Sequence, residues 1–464
     1  RSKLPAVLVV LFCIALLAGV GVLLWKTLPE KQEPAQAEAI QTDGVFSSEP
    51  TTVEPEREEP YEGDLPGQAD PCLGEPLRVI PAEAAQPENP DEQPQENPED
   101  QNHPEVPDNM TVSAAGQTAQ ALLDTMTDDE KLWQLFFVTP EAITNVDTAT
   151  VAGETTKKAL EQYPVGGIVY FAKNLEDREQ TVALLENTQS YAKIPLFLGV
   201  DEEGGTVSRV GSNPEMGVPS VGDMRSLGKQ QDPAVVHAAG QDIGGGLHAL
   251  GFNLDFAPVA DVAQGADSVI GSRSFGSDPE LCASLAGVIV KSLRAEGIVS
   301  CLKHFPGYGS ATVDDHNGTS IVEKSLSELE ACDLIPFQSI IAAEGSVPFV
   351  MVSHLSYPSV TGSDTPADLS SSIVTDILRD KLEYQNVIIT DSHSMASITD
   401  HYSAGDAAVK ALEAGCDMIL MPSDLQAAFD AVKAAVADGT LSQARIDESV
   451  LRILTVKAEY GIIS

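Results

Sequence analysis

Eight short, largely apolar runs recur along the C-terminal part of the chain. They are LWQLFFV (132–138), GGIVYFA (166–172), PLFLGV (195–200), NLDFAPVA (253–260), IVSCLKHF (298–305), PFVMVSHL (348–355), NVIITDS (386–392) and DMILMPS (417–423). Runs of this kind read as strands buried on both faces, not as the alternating strands of a sheet with one wet face. Between them lie segments with helical spacing, such as 181–192 and 404–414. Ahead of the first run, Thr127 followed three residues later by Glu130 is a capping box and sets a helix start. Strands alternating with helices predict a parallel sheet, and eight strands close a (β/α)8 barrel. The expected fold is therefore α/β, a TIM-type barrel over residues 111–464, with a doubly wound open sheet as the structural alternative.

Upstream of the barrel the pattern changes twice. Residues 4–25, LPAVLVVLFCIALLAGVGVLLW, carry no charge. As a helix they would span about 33 Å, the thickness of a bilayer core. Arg1 and Lys3 precede the run and Trp25-Lys26 close it, which fits a cytoplasmic N-terminus and an interfacial aromatic. A cleaved signal peptide competes with this reading, but no A-x-A site follows the run. Residues 1–26 are thus expected to be a transmembrane signal anchor, making the membrane a partner and placing the barrel outside the cell. Residues 27–110 hold 15 of the 30 prolines and 22 Asp or Glu against three basic residues. Such a segment cannot bury enough apolar surface to fold and is expected to be a disordered, solvated linker. The whole chain carries a formal charge of −43, which argues against nucleic acid as a partner but leaves neutral substrates open. The six cysteines (Cys13, Cys72, Cys282, Cys301, Cys332, Cys416) form no CxxC pair, so a zinc or redox motif is not expected. Cys301, inside an apolar run, reads as a core residue.

Polar residues at the ends of the runs carry the candidate chemistry. In a parallel barrel they gather at one mouth, beyond the strands' C-terminal ends. The third run ends in Asp201-Glu202-Glu203-Gly204-Gly205, with Arg209 following. The fourth is followed by Asp261 and a loop containing Arg273. The fifth closes on Lys303-His304, the sixth on His354 and the seventh on Asp391. Taken singly, an Asp there is often a helix N-cap and a His a bonded core residue. Five strand ends in agreement favour one shared mouth into which each projects.

Several chemistries are set aside by what the runs lack. Gly244-Gly245-Gly246 follows no strand, so a dinucleotide site is weakly supported. No Gly-x-Ser-x-Gly elbow is present, and the first run ends in Val138-Thr139-Pro140 without a His-x-His pair. Neither a cofactor nor a metal is expected. Glycoside cleavage remains, and it needs a nucleophilic carboxylate and a proton donor flanking the scissile bond. Asp391 is the candidate nucleophile, with Thr390 and Ser392 placed to orient it. His316, in the loop KHFPGYGSATVDDHNGTS (303–320), is the candidate acid/base because imidazole titrates near neutral pH. Asp314 is placed to hold its ring. Gly307, Gly309 and Gly318 either let this loop swing over a bound sugar or serve tight turns.

The stretches IPLFLGVDEEGGTVSRV, GFNLDFAPVADV, VIGSRSFGSDP, LKHFPGYG…VDDH and TPADLSSSIVTDILRDKLEYQNVIITDSHSM together resemble the barrel of glycoside hydrolase family 3, in its β-N-acetylhexosaminidase branch. The resemblance implies that Asp391 attacks the anomeric carbon to give a covalent glycosyl-enzyme with retention. It implies that His316 and Asp314 form the acid/base dyad. It also implies that Asp201, Arg209, Arg273, Lys303 and His304 bind the hydroxyls and N-acetyl group of the terminal sugar. Relatives that act as β-glucosidases take their acid/base from a second domain. Barely a helix follows the eighth run here, so the proton donor is expected from the barrel itself. Glu202 stands where the family usually has glutamine, which predicts an extra charge near the sugar. Tyr308, Ser310-Ala311 and His393-Ser394 also depart from the family pattern. The expected function is a membrane-anchored extracellular exo-glycosidase removing terminal β-linked N-acetylglucosamine from glycans or cell-wall fragments. The alternatives are an exo-glycosidase of other specificity, such as a β-glucosidase, and an inactive anchored carbohydrate-binding module.

Overall fold

The computed structural model describes residues 113–265, 268–311, 320–343 and 347–464. The expected anchor (1–26), the linker (27–110) and the Asp314/His316 pair lie outside the described residues. Among those described, no helix is long and apolar enough to cross a membrane.

All eight runs supply strand. They are β1 (Phe136–Val138), β2 (Gly167–Val169), β3 (Phe197–Val200), β6 (Leu254–Asp255), β7 (Val299–Phe305), β8 (Phe349–Val352), β9 (Val387–Ser392) and β10 (Met418–Leu420). Every neighbouring pair is parallel, and β10 pairs back onto β1, so the sheet is a closed barrel and not an open one. The first run is only half strand. Leu132, Trp133 and Gln134 end the helix Asp128–Gln134, which starts at the expected capping box. Glu130 Oε2 accepts the Thr127 N–H at 3.0 Å and Thr127 Oγ1 accepts the Glu130 N–H at 3.3 Å. The helix Ala404–Ala414 has the expected bounds, while the segment read as 181–192 runs as Arg178–Tyr191.

The barrel interior is aromatic. Phe137 on β1 packs on Phe197 of β3, and Phe197 packs edge-on against Phe349 of β8 at 5.2 Å between ring centres. Those strands are not neighbours, so the rings meet across the lumen. Phe256 completes the cluster 5.1 Å from Phe137. Cys282, Cys301 and Cys416 are buried and Cys332 half-buried, and all four thiols are free.

Three glycine readings are settled by packing. Gly244, Gly245 and Gly246 lie inside the helix Pro233–Leu250. A side chain at Gly246 would fall 2.3 Å from Val218, and one at Gly244 2.9 Å from Glu296, so the triplet makes room for neighbours and cradles no phosphate. After β7, a Cβ at Gly309 would sit 1.8 Å from the Val262 carbonyl oxygen, and one at Gly307 2.6 Å from Asp333. These two are required by close approach, not as hinges. Gly318 lies outside the described residues.

The element not expected is a hairpin of β4 (Glu202–Gly204) and β5 (Val207–Ser208) on the end of β3. Glu202 holds it. Its two oxygens accept the N–H groups of Arg209 (2.7 Å), Val210 (2.7 Å) and Gly211 (3.1 Å), together with the Ser208 hydroxyl. Asp255 at the end of β6 accepts the Glu202 N–H at 2.9 Å. Glu202 is 1 % exposed. Its charge is spent inside the hairpin, which corrects the expectation of an extra charge near the sugar.

At the opposite end of the barrel, ahead of β1 and β2, Lys457 from the helix Gln443–Glu459 is fully buried. Its Nζ donates to Gln134 Oε1 at 2.8 Å and lies 5.1 Å from the centre of the Phe197 ring. Gln134 in turn donates to the Pro164 and Val165 carbonyls. Burial without a carboxylate partner pushes the Lys457 ammonium down to about 7.

Two outcomes follow from these buried charges. Between pH 7 and the ordinary lysine value of 10.5, the folded state binds fewer protons at Lys457 than the unfolded chain, so this group makes stability rise with pH. Below pH 7 the full penalty of a charged buried lysine is present. Lys457→Met is therefore expected to raise the melting temperature by a few degrees at pH 6, with the gain shrinking toward pH 10. A melt lower than wild type at every pH would contradict this. Glu202→Ala leaves three loop N–H groups without their acceptor and is expected to cost roughly 3 kcal/mol in denaturant unfolding. Glu202→Gln keeps one accepting oxygen and is expected to cost less.

Candidate active site

The barrel mouth opens into a cavity of about 550 Å³ lined by Asp201, Glu203, Arg209, Arg273, Lys303, His304, Tyr308 and Asp391, with Phe171, Met351 and Met395 among the apolar walls. Six of the eight expected site residues meet here: Asp201, Arg209, Arg273, Lys303, His304 and Asp391. The remaining two, Asp314 and His316, lie outside the described residues. Asp261 and His354, also expected to project into the mouth, do not line it.

Period-two geometry explains which acidic residues face the cavity. Asp201 directly follows β3 and Glu203 lies two residues on, so both side chains project to one side while Glu202 turns to the other. Lys303, inside β7, places its Nζ 2.7 Å from Asp201 Oδ1 and 2.6 Å from Glu203 Oε1. Arg273 grips Glu203 with two parallel bonds, Nε to Oε2 and Nη2 to Oε1, both 2.8 Å. Burial opposes the Glu203 charge, but Lys303 and Arg273 outweigh it and hold the carboxyl well below the usual range. Burial likewise opposes the Lys303 ammonium, and Asp201 and Glu203 outweigh it and keep the group charged. Beneath this cluster, burial raises the Asp255 carboxyl well above the usual range. Glu203 was passed over in the sequence, although the alternation from Asp201 was the signal for it.

Asp261 serves His304 from behind. Its Oδ2 lies 2.7 Å from His304 Nδ1, and its Oδ1 accepts the Tyr308 N–H at 2.6 Å. The other imidazole nitrogen, Nε2, is thereby aimed toward Arg273 Nη2 at 3.4 Å. Arg209 lies with its guanidinium carbon 6.0 Å from the centre of the Phe171 ring, and among the described residues it makes no ion pair. Its fork remains available to a ligand.

Asp391 belongs to β9 and is partly exposed to the cavity. Its Oδ1 accepts the Ser392 N–H at 2.7 Å. Burial works against its charge, but His304, His354, the Ser392 N–H and Lys303 outweigh burial and lower its pKa. An ionised carboxylate with one oxygen held, beside a clamp of fixed cations and carboxylates, can attack an electrophilic carbon of a ligand seated in the clamp.

Comparison with known proteins places this geometry. Beta-hexosaminidase A of Pseudoalteromonas piscicida is 35 % identical over 331 residues, which is 65 % of this chain and 54 % of that protein. The chain thus spans about half the length of that relative. Beta-hexosaminidase LpqI of Mycobacterium tuberculosis is 36 % identical over 311 residues, 64 % of this chain and 77 % of that protein. Among solved structures, a glycoside hydrolase family 3 beta-N-acetylglucosaminidase from Paenibacillus superposes with a TM-score of 0.68 at 35 % identity, covering 73 % of this chain and 63 % of that one. The family model described as the glycosyl hydrolase family 3 N terminal domain matches residues 127–456. That match holds all eight strands and every described residue of the mouth, and the chain belongs to glycosyl hydrolase family 3.

Proposed function

We propose that this protein is a retaining β-N-acetylhexosaminidase that removes terminal β-linked N-acetylglucosamine from glycans or cell-wall fragments. The observation that carries the reading is Asp391, kept ionised in the wall of a cavity whose other side is the Asp201–Lys303–Glu203–Arg273 clamp. Names borne by relatives more than a third identical support the sugar specificity. In the first step the Asp391 carboxylate forms a bond to the anomeric carbon as the glycosidic C–O bond breaks, and His316 with Asp314 protonates the departing oxygen. In the second, the same dyad takes a proton from water, which attacks the anomeric carbon and releases Asp391. Arg273, Arg209, Asp201, Lys303 and His304 hold the terminal sugar. Residues 1–26 are the membrane anchor and residues 27–110 the linker to an extracellular barrel. This part of the reading rests on the uncharged run and the acidic, proline-rich segment after it.

Incubation of the purified chain with an aryl β-N-acetylglucosaminide and the matching β-glucoside tests the proposal. Release from the first substrate is expected, with Asp391→Asn reducing it by on the order of 10³-fold or more. Hydrolysis of the glucoside instead would move the specificity, and silence on both by folded protein would favour a binding module. Because the pKa of Asp391 lies below the ordinary aspartate value of 3.8, the acid limb of kcat/KM is expected below that pH. A limb at pH 5 or higher would contradict an already ionised nucleophile.

A further inference from the structure

Behind Asp391, away from the cavity, three buried side chains form a cluster that glycoside cleavage does not explain. His354 follows β8, Asp368 lies in the short helical turn Ala367–Leu369, and His393 follows β9. All three are at most 1 % exposed. His393 Nε2 lies 2.9 Å from Asp368 Oδ2, and His354 Nδ1 lies 3.1 Å from Asp368 Oδ1. The other nitrogen of His354, Nε2, lies 2.9 Å from the Ser392 carbonyl oxygen. Ser392 is the residue whose N–H holds Asp391. The cluster therefore reaches the candidate nucleophile through one backbone unit.

We propose that His354, Asp368 and His393 are a positioning triad that fixes the peptide after Asp391 and sets a positive charge behind its carboxylate. This inference rests on the reading of Asp391 as the nucleophile. The protonation states follow from the partners. A carbonyl can only accept, so His354 Nε2 carries a proton directed at Ser392 O. Its Nδ1 lies at ion-pair distance, 3.1 Å, from the Asp368 carboxylate, and on this proposal the ring carries both protons. A fully buried Asp368 needs such a counter-charge. Burial works against its ionisation, but His354 foremost and then His393 bring the Asp368 carboxyl down to about 2. His393 is the neutral member. Burial and the charge on His354 lower its pKa despite Asp368, and its Nε2–H secures the second Asp368 oxygen. The groups that face Asp391 are Lys303 and His304 from β7, His354 beyond β8, and His393 on its own loop.

The same three residues offer donor atoms within 4.8 Å of one another, the spacing of a metal set. Two observations favour the hydrogen-bonded triad. His354 Nε2 is engaged by the Ser392 carbonyl, and His393 Nε2 is aligned on Asp368 as a donor. A metal at this point would leave His393 without that donated bond.

Two variants of the purified chain separate these readings, Asp368→Asn and His354→Gln, with Asp391→Asn beside them. Glutamine at 354 keeps an N–H for the Ser392 carbonyl and loses only the charge, so it decides the matter if Asp368→Asn fails to fold. Removing the positive charge raises the pKa of Asp391. The acid limb of kcat/KM is therefore expected to move up by about one pH unit, with kcat reduced ~10-fold or more, while the inhibition constant of free N-acetylglucosamine stays within about twofold. An unmoved acid limb in folded His354→Gln would overturn the proposal. One equivalent of zinc in the purified protein, lost in Asp368→Asn, would overturn it in favour of a metal centre. Full activity in Asp391→Asn would instead remove the reading on which it rests.

Discussion

The site is organised around a lysine ammonium that has been taken out of water. Lys303 is 2 % exposed, and an unpaired charge at that depth costs several kcal/mol. The cost is offset only if Asp201 and Glu203 both reach Nζ, as they do at 2.7 and 2.6 Å. That requirement fixes β3, the hairpin that follows it and β7 relative to one another. Glu203, with one oxygen spent on Lys303, still needs a second cation, and Arg273 supplies it from the loop beyond β6. One buried charge thus dictates the arrangement of four segments. Lys457 at the other end of the barrel shows the contrast. With only an amide oxygen and an aromatic face for company it is pushed toward neutrality, whereas Lys303, paired twice, stays charged.

The two neighbouring acids in the third-strand motif divide the labour. Asp201 and Glu203 face the cavity and carry the clamp. Glu202, one residue out of phase, turns away and collects three backbone N–H groups and a hydroxyl, which shapes the loop that presents Arg209. Asp261 does similar work for His304 by aiming its ring. Cavity-facing groups are thus held by residues that never reach the cavity, which fixes the geometry of a polar site.

The barrel was legible because each strand is a nearly unbroken apolar run, and five of those runs lead into a charged or imidazole side chain, features that register in one dimension. Asp201, Lys303, His304 and Asp391, which meet in the cavity, stand at such run ends, whereas Arg209 and Arg273 lie in loops and were named through the family resemblance. What the sequence hid depends on facing. Glu202 and Glu203 look alike as letters, and only the alternation of a strand separates a hairpin staple from a clamp residue. Asp368 was missed because it lies in a short turn far from any strand end, and meets His354 and His393 only when β8 and β9 lie side by side. Gly307 and Gly309 stayed open between hinge and tight turn because sequence does not record that Asp333 and Val262 press against them.

The central claim is that Asp391 bonds covalently to the sugar. Trapping with a fluorinated N-acetylglucosaminyl donor whose second step is slow, followed by digestion and mass spectrometry, tests it directly. The account predicts one sugar per chain, on the peptide that contains Asp391 and on that carboxylate. An adduct on another residue, or steady turnover with inverted anomeric configuration and no adduct, would contradict it.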